Sequence, residues 1–309
     1  MNKSKRLREL ILAESTLIMP DAYDAISARI IEYAGFEAVQ CSGYSFAISR
    51  CYEKETDVSF QENIEKTKRI AQAVRVPVMA DGEDGFGDGE VLRSNIREYI
   101  GIGAAGVNIE DQNLRAEAAS CRPAADSEAA SCRPAADNEG AGRIIPESRM
   151  LEKIACVQQA AREAGHPDFV LNARTDALGS CEDRKKAQSF AVERANKYLA
   201  AGATLCFITH INTLDELRLF AREVHGPISV AAGVPNNIAA FSVRDCCELG
   251  IARVSLPTIA ILSSVKVQLD VMQSLRETGR FDDLLVKGAV LSDMSVLKNL
   301  LARTRPAQG

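Results

Sequence analysis

"VPVMADGEDGFGDGEVLRSNIREYIGIGAAGVNIED", residues 76–111, holds one full repeat of the fold. It opens on a short apolar run, "VPVMADG" (76–82), and passes through a glycine-rich loop. A helical pattern follows, "EVLRSNIREYIGIG" (90–103), and then a second apolar run, "AGVNIED" (105–111). Strand, helix and strand within about thirty residues make a parallel strand pair with a crossover helix.

The same alternation extends in both directions. Upstream lie "TLIMP" (16–20) and "AVQCSG" (38–43); downstream lie "FVLNART" (169–175), "TLCFITH" (204–210), "PISVAAG" (227–233) and "ARVSLP" (252–257). Each run is nearly all apolar, as expected of parallel strands covered on both faces. Helical patterns separate them: 22–35, 59–74 behind a Ser cap, 147–165, 181–202, 213–224, 241–250 and 259–279. Eight alternations in 309 residues predict an α/β chain folded as a (β/α)8 barrel. A doubly wound open sheet is the alternative, but no GxGxxG follows the first strand. We expect the barrel to fill residues 1–279 and a helical tail to fill 280–309.

Apolar residues make up 46% and charged residues 26% of the chain, an ordinary globular composition. With 37 Lys plus Arg against 42 Asp plus Glu, the net charge is -5. That balance gives no footprint for nucleic acid or an anionic membrane. The basic start, "MNKSKRLREL", is followed by too short an apolar run for a secretory signal, and no stretch is long enough to span a bilayer. The expected protein is soluble and cytoplasmic, with a small molecule as its partner. Its nine Cys form no CxxC pair, and its three His are scattered, so no zinc site is indicated.

A barrel of this kind builds its site at the C-terminal ends of its strands. Strands two to five end in "CSGYS", "ADGEDGFGDG", "NIEDQ" and "NARTDA". Asp81, Glu83, Asp84, Glu110 and Asp111 therefore reach one rim. Like charges crowded in a low-dielectric mouth need a balancing cation. Oxygen donors without His or Cys favour Mg²⁺ or Mn²⁺. Arg174 adds a fixed fork for a carboxylate or oxyanion. Ser42, Gly43 and Tyr44 offer N–H and hydroxyl donors to an anion. Asp84, Asp88 and Asp111 have a simpler reading as helix N-caps. Capping does not account for Asp81, Glu83, Glu110 and Arg174 together on neighbouring strands.

These residues resemble the isocitrate lyase/phosphoenolpyruvate mutase superfamily over roughly residues 6 to 275. "MPDAYDAISARIIEYAGFEAVQCSG" is similar to the family's opening strand–helix–strand. "VPVMADGEDGFGD" resembles its "DADTGYGN" metal segment, "GAAGVNIEDQ" its "GVAGxxIED", and "LNARTDAL" its "IARTDA". The resemblance implies an Mg²⁺-dependent enzyme acting on a small 2-oxo or 2-hydroxy acid through an enolate. It implies Asp81 as the main metal ligand, with Glu83 and Glu110 holding the ion directly or through water. Arg174 would bind the substrate's charged end, and Ser42, Gly43 and Tyr44 its carboxylate. It also implies a homotetramer, often with the eighth helix exchanged between subunits.

The chain departs from the family pattern at three places. Glu83 stands where many members have Asp. The segment "SRCYEKETDVS" lacks the "GxPD" shape, leaving Glu53, Glu55 or Asp57 to supply its acid. After the fourth strand, where the lyases carry "K(K/R)CGH" and the mutases an "FPK" segment, the stretch 112–142 carries neither. It holds "EAASCRPAAD" twice, at 117–126 and 128–137, a composition expected to be flexible and solvated. Either Cys121 or Cys132, each followed by Arg, would replace the lyase Cys, or both are incidental. The leading function is a C–C lyase. Phosphonopyruvate mutase or hydrolase chemistry is the alternative, weakened because the loop has no Lys. A decayed barrel that only binds a ligand is the third reading.

Overall fold

The computed structural model describes residues 2–113, 144–234, 236–282, 284 and 294–302. Eight parallel strands close into a barrel in sequence order. They are β1 (Leu17–Ala22), β2 (Val39–Cys41), β3 (Val78–Asp81), β4 (Gly106–Glu110), β5 (Val170–Thr175), β6 (Leu205–Ile208), β7 (Ile228–Ala231) and β8 (Arg253–Leu256). Closure is made by β1 against β8, with Leu17 opposite Arg253 and Pro20 opposite Leu256. Each expected strand is present.

The helices are α1 (Lys3–Ile11), α2 (Ala25–Tyr33), α3 (Gly43–Ser49), α4 (Phe60–Ala73), α5 (Gly89–Gly101), α6 (Glu147–Glu163), α7 (Arg184–Ala200), α8 (Leu214–Glu223), α9 (Val243–Glu248), α10 (Ile259–Thr278) and α11 (Met294–Ala302). Their starts are chemically marked. Ser59 caps α4 in a reciprocal pair with Glu62, and Asp24 caps α2 in the same way with Ser27. Gly279 ends α10 with φ +64, a conformation cheap only for glycine.

The strands alternate more sharply than their sequence suggests. Their outward residues, such as Ala80, Val107, Ile109, Leu171, Ala173 and Val254, pack under the helices in the main core. The inner face is layered. At the bottom, Leu17, Met19, Met79, Val170 and Leu205 meet Leu7, Leu10 and Ile11 of α1. The basic N-terminal stretch is thus an amphipathic helix that stops the N-terminal mouth of the barrel.

Above that plug the interior is polar. Arg253, fully buried, donates to Gln40 Oε1 at 2.6 Å, Ser229 Oγ at 2.7 Å and Met19 Sδ at 3.2 Å. Asn172 donates to Asn108 Oδ1 at 2.7 Å. The Phe207 ring lies between two guanidinium groups, Arg174 at 5.8 Å and Arg253 at 6.0 Å. The C-terminal helix α11 packs on α2, where the Arg29 Nε donates to Leu300 O at 2.8 Å.

Candidate active site

The C-terminal rim gathers the polar ends of β1 to β6. Asp81 closes β3 and is 9% exposed. Its Oδ2 accepts the Gly43 N–H at 2.9 Å, and its Oδ1 the Glu83 N–H at 3.5 Å. Gly43 is a glycine for a steric reason. A methyl there would run into Glu55 Oε1 and would stand 3.3 Å from Asp81 Oδ2.

Of the three acids that could complete the rim, the structure brings in Glu55. Its carboxylate accepts the Tyr44 N–H. Burial, with Asp81 and Asp176 nearby, pushes its pKa up to about 7 against the pull of Arg174. Glu53 is exposed, and Asp57 is exposed and turned back onto the Lys54 N–H at 3.2 Å.

Glu110 and Arg174 lie opposite one another on β4 and β5 and pair at 2.5 Å. Burial raises the Glu110 carboxyl well above its ordinary range. Arg174 opposes that rise, while Asp176, Glu55 and Asp81 add to it. Arg174 also donates Nε and Nη2 to the two oxygens of Asp176, at 2.9 and 3.0 Å. Asp176 accepts further bonds from Gln112 Nε2 at 2.6 Å and Thr209 Oγ1 at 2.9 Å, and faces His210 Nε2 at 3.3 Å. Burial penalises this carboxylate, but Arg174 and His210 outweigh that and hold it below its usual range.

Glu83 is buried in a left-handed backbone conformation, φ +47, strained for a residue with a side chain. Its carbonyl accepts the Glu110 N–H at 2.9 Å, which ties the β3 loop to β4. Ser42, Gly43 and Tyr44 are not a loop but the start of α3. The Ser42 hydroxyl accepts the Ser45 N–H at 3.2 Å as its cap, and the Tyr44 side chain is half exposed. The N–H groups of residues 43 and 44 face Asp81 and Glu55.

The capping role expected for three acids is corrected. Asp88 stands at the N-cap position of α5 but makes no cap bond; its carboxylate pairs with Arg149 and with Lys153 at 2.7 Å. Asp84 accepts the Phe86 N–H at 3.0 Å within a turn. Asp111 is fully buried and binds Arg194 at 3.0 Å, Tyr198 Oη at 2.8 Å and Thr175 Oγ1 at 2.7 Å. It ties β4, β5 and α7 together below the rim. Cys121 and Cys132 lie outside the described residues. The segment that carries them is framed by a bridge between Gln112 and Ile144, and Gln112 itself touches Asp176.

Sequence reasoning assigned no role to Asp176, Gln112, Thr209, His210 or Asp21. Asp176 and His210 were visible as polar residues just past the ends of β5 and β6. Nothing in the sequence alone pointed to Gln112 or Thr209.

Glu55, Glu110 and Asp176 thus stand around one guanidinium, with Asp81 beside Glu55 at Gly43. That excess of carboxyl groups fits a hard cation. Among the described residues, no group of three or more His, Cys, Asp or Glu closes into a ready metal cage. Mg²⁺ does not need one, since it commonly takes one or two carboxylates with water and substrate oxygens. Asp81 and Glu55, side by side at Gly43, are such a pair.

An α/β barrel with an acid-and-arginine rim is an enzyme scaffold. Residues 7–276 match the phosphoenolpyruvate phosphomutase family model. The chain belongs to that family, within the isocitrate lyase/phosphoenolpyruvate mutase superfamily, whose members are lyases, mutases and hydrolases. It is 31% identical to the 2-methylisocitrate lyase of Aeropyrum pernix over 91% of this chain and 82% of that one. It is 27% identical to the chloroplastic carboxyvinyl-carboxyphosphonate phosphorylmutase of Arabidopsis thaliana, over 96% and 81%. Its fold superposes on phosphonopyruvate hydrolase in complex with oxalate and Mg²⁺ with a TM-score of 0.79 at 22% identity, over 98% and 96%. No helix among the described residues is long and apolar enough to cross a membrane.

Proposed function

We propose that the protein is an Mg²⁺-dependent lyase that cleaves a C–C bond in a small 2-hydroxy or 2-oxo carboxylic acid. One observation carries this reading: Asp81 and Glu55 meet at Gly43, next to Glu110 and Asp176 paired with the Arg174 fork, so that carboxyl groups outnumber the one guanidinium on the rim. Asp81 and Glu55, with Glu110 and Glu83 beside them, would hold Mg²⁺ or Mn²⁺. The ion would supply positive charge where an enolate oxygen develops.

The chain's own groups do the rest. Arg174, fixed on two sides by Glu110 and Asp176, binds a substrate carboxylate without having to be ordered first. The N–H groups of Gly43 and Tyr44, which here serve Asp81 and Glu55, are the donors assigned to that carboxylate as well. A rim carboxylate that the ion leaves free would take the proton of the substrate hydroxyl. A carbonyl then forms, the C–C bond breaks, and the electron pair passes to the carboxylate-bearing fragment as an enolate. Cys121 or Cys132 would return a proton to that fragment. The segment bearing them contains no Lys, which disfavours phosphonopyruvate chemistry.

The protein is further proposed to be a cytoplasmic homotetramer. Leu262, Val265, Leu269 and Met272 are exposed along one face of α10, at the spacing of a helix–helix seam. Beside the start of α10, an apolar cavity of about 180 Å³ lined by Phe241, Val243, Cys246 and Ile259 leaves room for a partner's side chain.

The test is thermal melting of wild type and Asp81→Ala with Mg²⁺ and oxalate, followed by turnover of 2-methylisocitrate, 2,3-dimethylmalate and phosphonopyruvate. A melting rise that needs both Mg²⁺ and Asp81, with a keto acid released from a hydroxy acid, supports the lyase. Phosphate release from phosphonopyruvate instead overturns it in favour of C–P chemistry. No rise at millimolar ligand means the site binds no enolate mimic.

A further inference from the structure

The loop that joins β3 to α5 has a costly backbone. Two of its residues with side chains lie in the left-handed region, Glu83 at φ +47 and Phe86 at φ +55. Such conformations persist only where the surroundings over-determine them. Much of that restraint comes from side chains outside the loop. Asn63 of α4 donates to the Asp81 carbonyl at 2.9 Å, and Asn95 of α5 donates to the Gly85 carbonyl at 3.0 Å. The third restraint is charged. Lys153 of α6 is 3% exposed, and lysine is rarely buried unless it is paired. Its Nζ donates to the Asp84 carbonyl, to the Gly87 carbonyl at 3.2 Å and to Asp88 Oδ1 at 2.7 Å.

An ammonium carries three donors and no acceptor. Here they meet two carbonyls and one carboxylate, oxygen partners of the kind that hold a hard cation. Each asparagine reaches one carbonyl of this loop, whereas Lys153 reaches residues 84, 87 and 88 and so draws the loop around one centre. That centre lies next to the rim acids in the chain. Asp81 and Glu83 directly precede the residues that Lys153 holds, and the Glu83 carbonyl accepts the Glu110 N–H at 2.9 Å. A buried positive charge would by itself oppose a second cation nearby. The Asp88 carboxylate offsets it at contact distance, which leaves a contribution that is mainly geometric.

We propose that Lys153 is a positioning residue whose ammonium serves as a permanent internal cation, around which the 82–89 loop folds so that Asp81 and Glu83 are held where a divalent ion can use them. With its donors taken by the loop, it touches neither that ion nor the substrate. This rests on the reading of the rim as an Mg²⁺ site. Groups that orient metal ligands from behind cost roughly 10- to 100-fold in metal affinity when they are lost.

The test is calorimetric titration of Mg²⁺ into protein saturated with oxalate, with the melting temperature measured alongside. Lys153→Ala is expected to lower Mg²⁺ affinity about 10-fold or more. It also opens a space shaped like the lost chain, so n-propylammonium, which replaces the missing atoms, should recover affinity at least about threefold. Tetramethylammonium has the same charge but no N–H donors, and should recover none. Met150→Ala trims a core residue of the same helix; it should lower the melting temperature and leave Mg²⁺ affinity within about twofold of wild type. Lys153→Arg decides the matter if the alanine variant does not fold. Its planar fork cannot place donors as a compact ammonium does, so Mg²⁺ affinity should fall at least about threefold. Wild-type Mg²⁺ affinity in either Lys153 variant overturns the proposal. So does an equal loss in Met150→Ala, which would make Lys153 one more prop of the helix. Recovery that fails with n-propylammonium, or that tetramethylammonium matches, also overturns it. If wild type takes up no Mg²⁺ with oxalate, the cation-site reading falls first and this inference with it.

Discussion

Gly43 is bare because two carboxyl groups occupy the space a methyl would need. It opens α3, where alanine is the better helix former, so Gly43→Ala should leave the melting temperature of the ligand-free protein unchanged or slightly higher. The same methyl would push Glu55 and Asp81 apart. Calorimetry should show affinity for oxalate with Mg²⁺ falling about 10-fold or more, roughly 1.4 kcal/mol. An equal loss of stability and binding would mean that Gly43 serves the backbone alone. At this scale the sequence was partly legible. Asp81, Glu110 and Arg174 could be singled out because they are charged groups at strand ends. Choosing Glu55 over Glu53 and Asp57 needed the path of a turn that no short-range pattern encodes. Asp21 was hidden because the expected first strand stopped at Pro20, one residue short of it.

At the scale of single elements, α4 shows how a capping pair senses acid. Glu62 is held down at about 2 by bonds from the Ser59 backbone and hydroxyl and from Tyr52, aided by Arg50. The folded form therefore binds fewer protons than the unfolded chain between about pH 4.5 and pH 2. Its contribution is present above pH 4.5 and is lost as pH falls through 2. Urea titrations should show wild type more stable than Glu62→Gln near pH 6, with the gap closing towards pH 2. A constant gap would remove ionisation from the explanation.

A second element, α11, is tied down through Arg29, which donates to the Leu300 carbonyl and pairs with Glu32 at 2.7 Å. Arg29→Met strips the buried Glu32 of its counter-charge, at a cost of about 3 kcal/mol. Limited proteolysis should then cut within 294–302 before the barrel opens. The Ser cap of α4 announced that helix in the sequence. Helix α3 was not announced, since "SGYS" suits a loop as well as a cap and first turn. Helix α1 looked only like a basic leader, because its apolar stripe has meaning once a barrel mouth exists to receive it.

Across the whole molecule, the eight alternations made the barrel readable, because every parallel strand needs its own crossover. What they did not carry is how the layers are locked together. Asp111 does much of that, joining three elements with Arg194 at its centre. Asp111→Ala leaves Arg194 charged, buried and without that carboxylate. A loss of about 3–5 kcal/mol is expected in chemical denaturation. The assembly is tested separately. Leu269→Glu with Met272→Glu puts charge on the exposed seam of α10, and sedimentation should show smaller species with an unchanged circular dichroism spectrum.

The plug formed by α1 has a kinetic consequence. Among the described residues, Leu7, Leu10 and Ile11 stop the N-terminal mouth, which leaves the rim as the way in. Whatever enters must leave by the same route, past the Gln112–Ile144 bridge. A spent fragment and a fresh substrate share that entry. The fragment that departs last should therefore inhibit competitively against substrate, and the one that departs first should not.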